Sequence, residues 1–362
     1  MHTWRISIRP EWFLARPVGD PLPLPALLQL LAAIQGGGSI ADAARATRMS
    51  YRGAWGLLRN FERELRMPLV IKARGQGTRL SPLAEKLLWA DRRVTARLSP
   101  TLETLASELD AELETLLMPS RASFRIHASF GYAVAALVES LVEALGRHSV
   151  PVDLKYRNST EAVAALARGE CDLAGFHVAE GEYQEESLRP YLASLDRRHH
   201  LLIELAYRTQ GLIVARGNPL GVQTVADLVR SDVRFVNRQF GSGTRMLLDL
   251  LLRHNGIEPT AVNGYQSAEF THAAVSAYIA SGMADAGFGL ETAARRFNLD
   301  FIPLLRERYF FGCEQAAIER PALRNVVRLL RGRELREVID ALPGYNGRIA
   351  GRVVTLDEAF AD

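Results

Sequence analysis

A glycine-rich stretch between Arg234 and Asp249 has residue types suited to holding an anion. Apolar residues that predict a strand are followed by Gly241, Ser242 and Gly243, and a helix is expected to begin near Thr244. The first amides of a helix have no partners within it and lie at the positive end of its dipole, while glycines let a ligand approach the backbone. We therefore predict an anion cradle, and the alternative is a turn that only joins strand to helix. The stretch lacks the lysine of a nucleotide P-loop.

Polar residues also follow the other predicted strands of the same region. Ligands in open parallel sheets bind beyond the carboxyl ends of the strands, so these residues are expected to converge on one cleft. The candidate ligand-binding residues are Ser129, Asn158, Ser159, Thr160, His177, Arg238, Ser242, Gly243, Thr244, Arg245 and His272. The two histidines could equally be structural residues.

A second cluster lies near the N-terminus, where residues 38–65 predict two helices joined by a tight turn. Ser39 and Ser50 are suited to cap them, and the first residues of the second helix would meet the edges of DNA bases. Residues 70–80 predict a hairpin with a glycine-rich basic tip, as in a wing. The candidate DNA-binding residues are Ser39, Ser50, Tyr51, Arg52, Trp55, Arg59, Lys72, Arg74 and Arg79. Some of these would hold phosphates without reading sequence, and a helix-turn-helix without DNA function is the alternative.

The charge of the chain is unevenly distributed. Residues 1–80 contain 12 Lys/Arg and 5 Asp/Glu, whereas the whole chain of 362 residues has a net charge of only +3. A basic N-terminal module on a mildly acidic body favours a local polyanionic partner such as DNA. A solvated basic surface is the alternative.

The rest of the chain indicates how these clusters are positioned. Alternating apolar residues predict a strand over residues 5–14, and residues 82–117 predict helix, with a break expected at Ser99-Pro100. This helical region carries leucines spaced by three or four, a pattern that favours pairing with a second copy over packing against the chain's own body. The stripe consists of Leu98, Leu102, Leu105, Leu109, Leu113 and Leu116.

After residue 119 the pattern alternates between strand and helix, which predicts a parallel sheet with crossover helices. The predicted strands are 124–128, 152–156, 172–176, 211–215, 233–237, 284–288 and 301–304. The domains are predicted as 1–81, 82–118 and 119–362, the last divided into lobe I, about 121–208 and 303–362, and lobe II, about 209–302.

Several classes of protein are not supported by the sequence. Cys171 and Cys313 stand far apart in apolar surroundings and are predicted to be reduced core residues, not a disulfide or metal site. The sequence has no apolar stretch long enough to span a bilayer and no signal-peptide core, so we expect a cytoplasmic protein. It also lacks a nucleophile elbow, a metal-ligand cluster and a dinucleotide fingerprint, so we predict that it is not an enzyme and has no cofactor.

The N-terminal residues resemble the DNA-binding domain of ModE-type molybdate-responsive regulators, which is related to the LysR-type domain. The resemblance covers roughly residues 5–118 and implies a winged helix-turn-helix, mainly α with a β wing, in a homodimer or tetramer on a near-palindromic operator. It is carried by Gly38-Ser39-Ile40, Ala43-Ala44, Ser50-Tyr51, Ala54-Trp55, the wing and Leu80-Ser81-Pro82.

Residues 121–345 resemble the molybdate-type substrate-binding domain found fused to such regulators. The resemblance implies an α/β, two-lobed domain of the type II periplasmic-binding-protein kind that closes on a small oxyanion such as molybdate or tungstate. The matching stretches are 168–177, 208–219, 236–245, 264–265, 271–272 and 284–287. Where the family commonly has Ser-His-Asp after the first strand, this chain has Ser129-Phe130-Gly131. That departure leaves another anion, a molecule related to the molybdenum cofactor or a small carboxylate open as the ligand.

These observations predict a one-component regulator that binds promoter DNA and senses a small anion. The alternative is a constitutive DNA-binding regulator whose sensor domain binds a different small molecule or none.

Overall fold

The computed structural model describes residues 6–16, 19–73, 77–117, 123–146 and 152–360. The chain divides into two compact units, Arg9–Thr95 and Met1–Ile8 with Ala96–Asp362. The division falls inside a helix, and therefore at neither of the boundaries expected from the sequence, 81/82 and 118/119.

The unit Arg9–Thr95 is mainly helical. Its elements are β1 (Phe13–Leu14), β2 (Leu22–Pro23), α1 (Pro25–Gly37), α2 (Ile40–Ala46), α3 (Tyr51–Leu65), β3 (Val70–Ala73), β4 (Gly77–Leu80) and the first part of α4 (Pro82–Leu117). The prediction of a strand over residues 5–14 was wrong, because only β1 at its end pairs with another strand, β2. β3 and β4 form an antiparallel hairpin.

The sequence explains how the helices of this unit are held. Ser39 accepts a hydrogen bond from the Asp42 amide at 3.0 Å, and Ser50 accepts one from the Gly53 amide at 3.0 Å, so each caps its helix. Apolar residues at helical spacing, such as Leu27, Leu30, Leu31 and Ile34 of α1, form a buried core with Leu58 and Phe61 of α3.

The second unit is built around a mixed sheet. After α4 come β5 (Phe124–Ala128), α5 (Tyr132–Gly146), β6 (Val152–Tyr156), α6 (Ser159–Ala167), β7 (Leu173–Ala179), α7 (Gln184–Leu192), β8 (His200–Val214), β9 (Phe235–Arg238), α8 (Gly243–His254), β10 (Ala268–Glu269), α9 (His272–Ala280), β11 (Ala286–Leu290), α10 (Glu291–Arg296), β12 (Asp300–Glu314), α11 (Pro321–Arg331), α12 (Arg333–Asp340), β13 (Tyr345–Asn346), β14 (Val353–Val354) and α13 (Leu356–Phe360).

The strand order is β10-β9-β11-β8-β12-β7-β5-β6, with β13 and β14 also paired to β8. β5, β6 and β7 are parallel to one another and form lobe I, whereas β9, β10 and β11 are parallel to one another and form lobe II. β8 and β12 pair antiparallel along both lobes and join them. The predicted parallel sheet is thus found within each lobe, but the antiparallel joining strands were not predicted as such, and the predicted strands 211–215 and 301–304 capture only one end of each.

Each lobe has helices on both faces of the sheet. α5, α11 and α12 cover one face of lobe I, and α6, α7 and α13 cover the other. α8 covers one face of lobe II, while α9 and α10 cover the other. Because successive side chains of a strand point to opposite faces, strands covered on both sides are buried throughout, as β7 is.

Two further expectations concern single positions. The predicted helix break at Ser99-Pro100 was wrong, because α4 continues through Pro100. Cys171 and Cys313 are both free and buried, as predicted.

Candidate functional site

A cavity of about 270 Å³ lies at the strand ends of the second unit. It is lined by Pro100, Ser129, Phe130, Tyr156, Arg157, Asn158, Glu161, His177, Arg208, Arg238, Gln239, Phe240, Ser242, Gly243, Thr244, Phe270 and His272. Residues of both lobes and one residue of α4 therefore surround the same space.

The N-terminus of α8 forms part of this cavity. Ser242 caps the helix, accepting a hydrogen bond from the Arg245 amide at 3.2 Å. Gly243 approaches the His177 ring so closely that a Cβ at this position would clash with Nε2. A side chain at Gly243 is thus excluded, and the positive end of the helix dipole faces the cavity.

Arg238 is the buried cation of the site. It ends β9 and is 5% exposed, and its Nε and Nη1 have no hydrogen-bond partner in the described part of the chain. Burial, with a contribution from the nearby Arg208, lowers the pKa of Arg238 to about 9. A buried charge is costly unless it is paired, so this guanidinium is suited to receive an anion from the cavity.

A second buried arginine is already neutralised. Arg208 of β8 pairs with Glu307 of β12, and both side chains are almost fully buried. Gln210 donates to Glu307 at 2.9 Å and to the Thr244 hydroxyl at 3.1 Å. Burial raises the pKa of Glu307, and the Arg208 guanidinium opposes this effect. The network ties the two joining strands to the N-terminus of α8.

His177 and His272 face the cavity as neutral rings. Burial, reinforced by the charges of Arg208 and Arg238, places the pKa of both imidazoles well below the usual value. His177 Nδ1 lies 3.4 Å from Ser159 Oγ, and His272 Nε2 lies 3.5 Å from Thr244 Oγ1. A neutral imidazole can donate a hydrogen bond to a ligand or accept one from it, and it adds no charge to the cavity.

Most of the ligand-binding residues predicted from the sequence converge on the cavity. Eight line it: Ser129, Asn158, His177, Arg238, Ser242, Gly243, Thr244 and His272. His177 lies within β7 and not, as expected, after a strand.

Three predicted residues do not line the cavity, because their side chains are engaged elsewhere. Ser159 lies behind His177, and Thr160 donates to Asn158 Oδ1 at 2.8 Å. Arg245 donates to the Arg238 carbonyl and lies over the Tyr265 ring.

Sequence reasoning missed Arg208, Phe240, Phe270 and Pro100, which also line the cavity. Arg208 belongs to the part of β8 that was not predicted as strand. Alternating polar residues at 204, 208 and 210 within an apolar run were the signal that could have found it.

The part of α4 after Thr95 contacts both lobes. The Thr271 hydroxyl of lobe II donates to the Ala96 carbonyl at 3.0 Å. This carbonyl precedes Pro100 by four residues, and a proline has no amide with which to satisfy it. On the lobe I side, Ser107 accepts from the Leu154 amide at 2.8 Å, and Thr104 accepts from the Tyr156 amide at 3.1 Å. Pro100, between these attachments, lines the cavity.

The same helix leaves much of its leucine stripe exposed. Leu98, Leu105, Leu109 and Leu113 are each 38–47% exposed, although Ser107 and Thr104 fix another face of the helix to β6. Polar residues of α4 thus contact the body, whereas these four leucines of the stripe remain exposed.

In the unit Arg9–Thr95, the predicted DNA-binding residues concentrate on α3. Tyr51, Arg52 and Arg59 are exposed, Trp55 is partly buried, and the Arg59 guanidinium lies over the Trp55 ring. The Ser39 and Ser50 hydroxyls are used as helix caps.

The hairpin contributes the remaining candidates. Arg79 is exposed on β4, Lys72 lies in β3, and Arg74 lies outside the described residues. The hairpin packs close to the C-terminal end of α1, since the Thr78 amide donates to the carbonyl of Gly38, which caps that helix, at 2.8 Å.

The described residues contain neither a helix suited to spanning a membrane nor a cluster of metal ligands. The helices of this part of the chain include none with the length and apolarity to cross a membrane. Its His, Cys, Asp and Glu side chains form no cluster of three or more that could hold a metal ion.

Comparison with known proteins relates the chain to a family of binding domains. A family model described as a PBP superfamily domain matches residues 142–331. The uncharacterised protein YvgK of Bacillus subtilis (strain 168) is 33% identical over 201 residues, which cover 55% of this chain and 64% of YvgK. The chain thus spans less than two thirds of that relative.

An uncharacterised protein from the 5′ region of the ferredoxin 2Fe-2S gene of Clostridium pasteurianum is 32% identical over 111 residues, which cover 30% of this chain and 98% of the relative. Among solved structures, CbnR, a LysR family transcriptional regulator, aligns with a TM-score of 0.38 and 16% identity over 83% of this chain and 97% of its own. The family match is to a binding domain and not to an enzyme class, which confirms the prediction on this point.

Proposed function

We propose that this chain is a one-component transcription regulator. It belongs to the PBP superfamily, whose domain model matches more than half of it. In this proposal, the unit Arg9–Thr95 binds promoter DNA through a winged helix-turn-helix, and the two-lobed unit senses a small anion. The observation that carries the proposal is α4, a helix continuous in sequence with the DNA-binding unit that also lines the cavity through Pro100.

The proposed DNA-binding surface is the exposed face of α3 together with the β3–β4 hairpin. Arg52 is exposed near the N-terminus of α3, where a recognition helix meets base edges, and arginine can bind guanine with two hydrogen bonds. Arg59 and Arg79 are exposed further along this surface, and we assign them to phosphates. Access to promoter DNA requires the chain to act in the cytoplasm.

The proposed ligand site is the cavity beside Arg238 and the N-terminus of α8. A cation without a partner and a helix dipole both favour negative charge, so a small anion is the ligand class that the site fits. A molybdate- or tungstate-like oxyanion and a molecule related to the molybdenum cofactor both belong to this class.

We propose that ligand binding changes the separation of the lobes and thereby moves α4. The helix is attached to lobe II at Ala96 and to lobe I at Thr104 and Ser107. A change in the distance between the lobes must therefore bend or shift the segment around Pro100. Couplings between two sites are typically about 1–3 kcal/mol, and the ligand must bind the two states with different affinities.

The exposed leucine stripe of α4 supports a homodimer or tetramer. Leu98, Leu105, Leu109 and Leu113 follow the spacing of a paired helix, and such leucines are stabilised when a second helix covers them. A two-fold symmetric dimer would read a near-palindromic operator.

DNA binding is tested by fluorescence anisotropy of a labelled duplex over a range of salt concentrations. We expect binding at low salt that weakens as salt rises, and a double variant Arg59→Ala/Arg79→Ala, which removes both proposed phosphate contacts, with a salt slope lower by about two. Arg333→Ala, which removes an exposed arginine at the start of α12 in the other unit, is the matched control and should retain the slope of the unmodified chain. A folded chain that fails to bind any duplex at low salt would contradict the proposal.

A further inference from the structure

We propose that the ligand is an organic monoanion, a carboxylate carried on a flat apolar body, and not an inorganic oxyanion. This inference rests on the proposed function, because it names the ligand class of the same cavity. Three independent properties of the cavity support it: its charge, its lining and its size.

The charges around the cavity leave a single positive charge for the ligand. Glu307 offsets Arg208 within the buried pair. At the rim, where Arg157 and Glu161 are both exposed, one charge of each sign is present. Of the two buried lining arginines among the described residues, Arg238 has no carboxylate partner, and its Nε and Nη1 have no hydrogen-bond partner in that part of the chain. A dianion would be left with an unbalanced buried charge, whereas a carboxylate matches the site and the fork of its donors.

Part of the cavity lining is aromatic. Phe130 packs edge-to-face on Tyr156 with a centroid distance of 5.0 Å. Phe240 and Phe270 line the same cavity but are 88% and 47% exposed. Exposed phenylalanines at the mouth of a polar site are stabilised when the apolar part of a ligand covers them. A bare oxyanion has no surface that could do so.

The size of the cavity agrees with an organic ligand. Pockets for drug-sized molecules have volumes of about 300–1,000 Å³, and a cavity of about 270 Å³ lies just below that range, as suits a smaller organic ligand. A tetrahedral oxyanion has five heavy atoms and would leave the aromatic part of the cavity unfilled.

The test is calorimetric titration of the full chain with four probes. Phenylacetate has the ring and the charge, acetate has only the charge, phenylacetamide has only the ring, and molybdate is a dianion without an apolar body. We expect phenylacetate to bind at least about tenfold more tightly than each of the others, since the site would use both parts of the molecule.

Variants separate the two contributions. Phe270→Ala should weaken phenylacetate about tenfold and leave acetate unchanged, while Arg238→Met should remove the difference between phenylacetate and phenylacetamide. Phe13→Ala, an exposed phenylalanine of the other unit, is the matched control and should leave every affinity unchanged.

Two outcomes would overturn the inference. Tighter binding of molybdate than of phenylacetate would overturn the organic ligand while leaving the proposed anion sensor intact. Failure of the folded chain to bind any of the four probes would overturn the ligand class, and DNA binding would then still be decided separately by the anisotropy experiment.

Discussion

The two proposed binding surfaces of this chain obtain their positive charge in different ways. On α3, Arg52 and Arg59 come from one helix and are exposed, so water solvates their charges when no DNA is present. At the cavity, the buried charges are those of Arg208, Arg238 and the Glu307 partner of Arg208, which belong to three different strands. Charge on the helix has little energetic consequence for folding, whereas charge in the cavity must be balanced within the fold or by a ligand.

The buried charge without a partner is the one that a ligand would balance. Arg208 is balanced by Glu307, and Arg238 is not balanced within the described residues. Removing the partner of Arg208 and removing Arg238 itself should therefore change stability with opposite signs, and breaking an exposed ion pair should have almost no effect.

The largest expected effect is on folding and concerns Glu307. Glu307→Gln retains the shape of the side chain but leaves Arg208 as a buried cation without its partner, so we expect a loss of about 3–5 kcal/mol in the free energy of unfolding. Urea denaturation measures this loss. Glu337→Gln, which breaks the exposed Arg333–Glu337 pair, is the control and should change stability little. Equal losses in both variants would remove the distinction between buried and exposed charge.

Arg238→Met is expected to have the opposite sign. Removing a buried, unpartnered cation relieves its desolvation, so the free energy of unfolding should rise by about 1 kcal/mol or more in anion-free buffer. Thermal denaturation with and without phenylacetate measures both states. The unmodified chain should be stabilised by the anion and the variant should not, because mass action requires binding to the folded state. A destabilised variant would indicate that Arg238 already has a partner.

The buried histidines sharpen the comparison through pH. Because the pKa of His177 and His272 is lowered on folding, the unfolded chain binds more protons than the folded chain below the ordinary value of about 6.5. Stability should therefore fall as pH decreases from about 6.5, by up to about 1.4 kcal/mol per pH unit for each histidine. His272→Gln should reduce the slope between pH 6.5 and 5 by close to one proton, as measured by urea denaturation at each pH. An unchanged slope would contradict neutral burial of this ring.

The smallest effect on stability is expected at the attachment of α4 to lobe II. Thr271→Val removes the hydrogen bond to the Ala96 carbonyl and the cap of α9, for a loss of about 1 kcal/mol. We also expect it to weaken the effect of ligand on DNA affinity, because the attachment transmits lobe movement to the helix. Thr271→Ser retains the hydroxyl and should retain the coupling in anisotropy titrations. Equal coupling in both variants would show that this contact is not part of the switch.

The sequence predicts features that depend on residues close together in the chain, and it does not predict contacts between residues far apart in the chain. Ser39 and Ser50 act over three residues, so their caps could be inferred from local order alone. The cradle at Ser242–Thr244 is similarly local, and α8 begins within one residue of the predicted start. The Arg208–Glu307 pair joins residues 99 positions apart and depends on the register of β8 with β12, which no local pattern encodes.

Pro100 shows a second limit of sequence reasoning. A proline within a helix removes one hydrogen bond, and the local rule predicts a break. The helix instead continues because Thr271, far away in sequence, satisfies the Ala96 carbonyl. Tertiary contacts therefore decide whether such a helix breaks or continues.

If the anion site and the DNA-binding surface are coupled, each ligand must change the affinity for the other by the same factor, and this equality is the decisive test. Duplex affinity is measured by anisotropy with and without saturating phenylacetate, with molybdate in parallel, and anion affinity is measured by calorimetry with and without saturating duplex. The account predicts that the two ratios are equal and differ from one, by about 5–150-fold for typical couplings. If both partners bind and both ratios equal one, the two sites are independent and the account is contradicted.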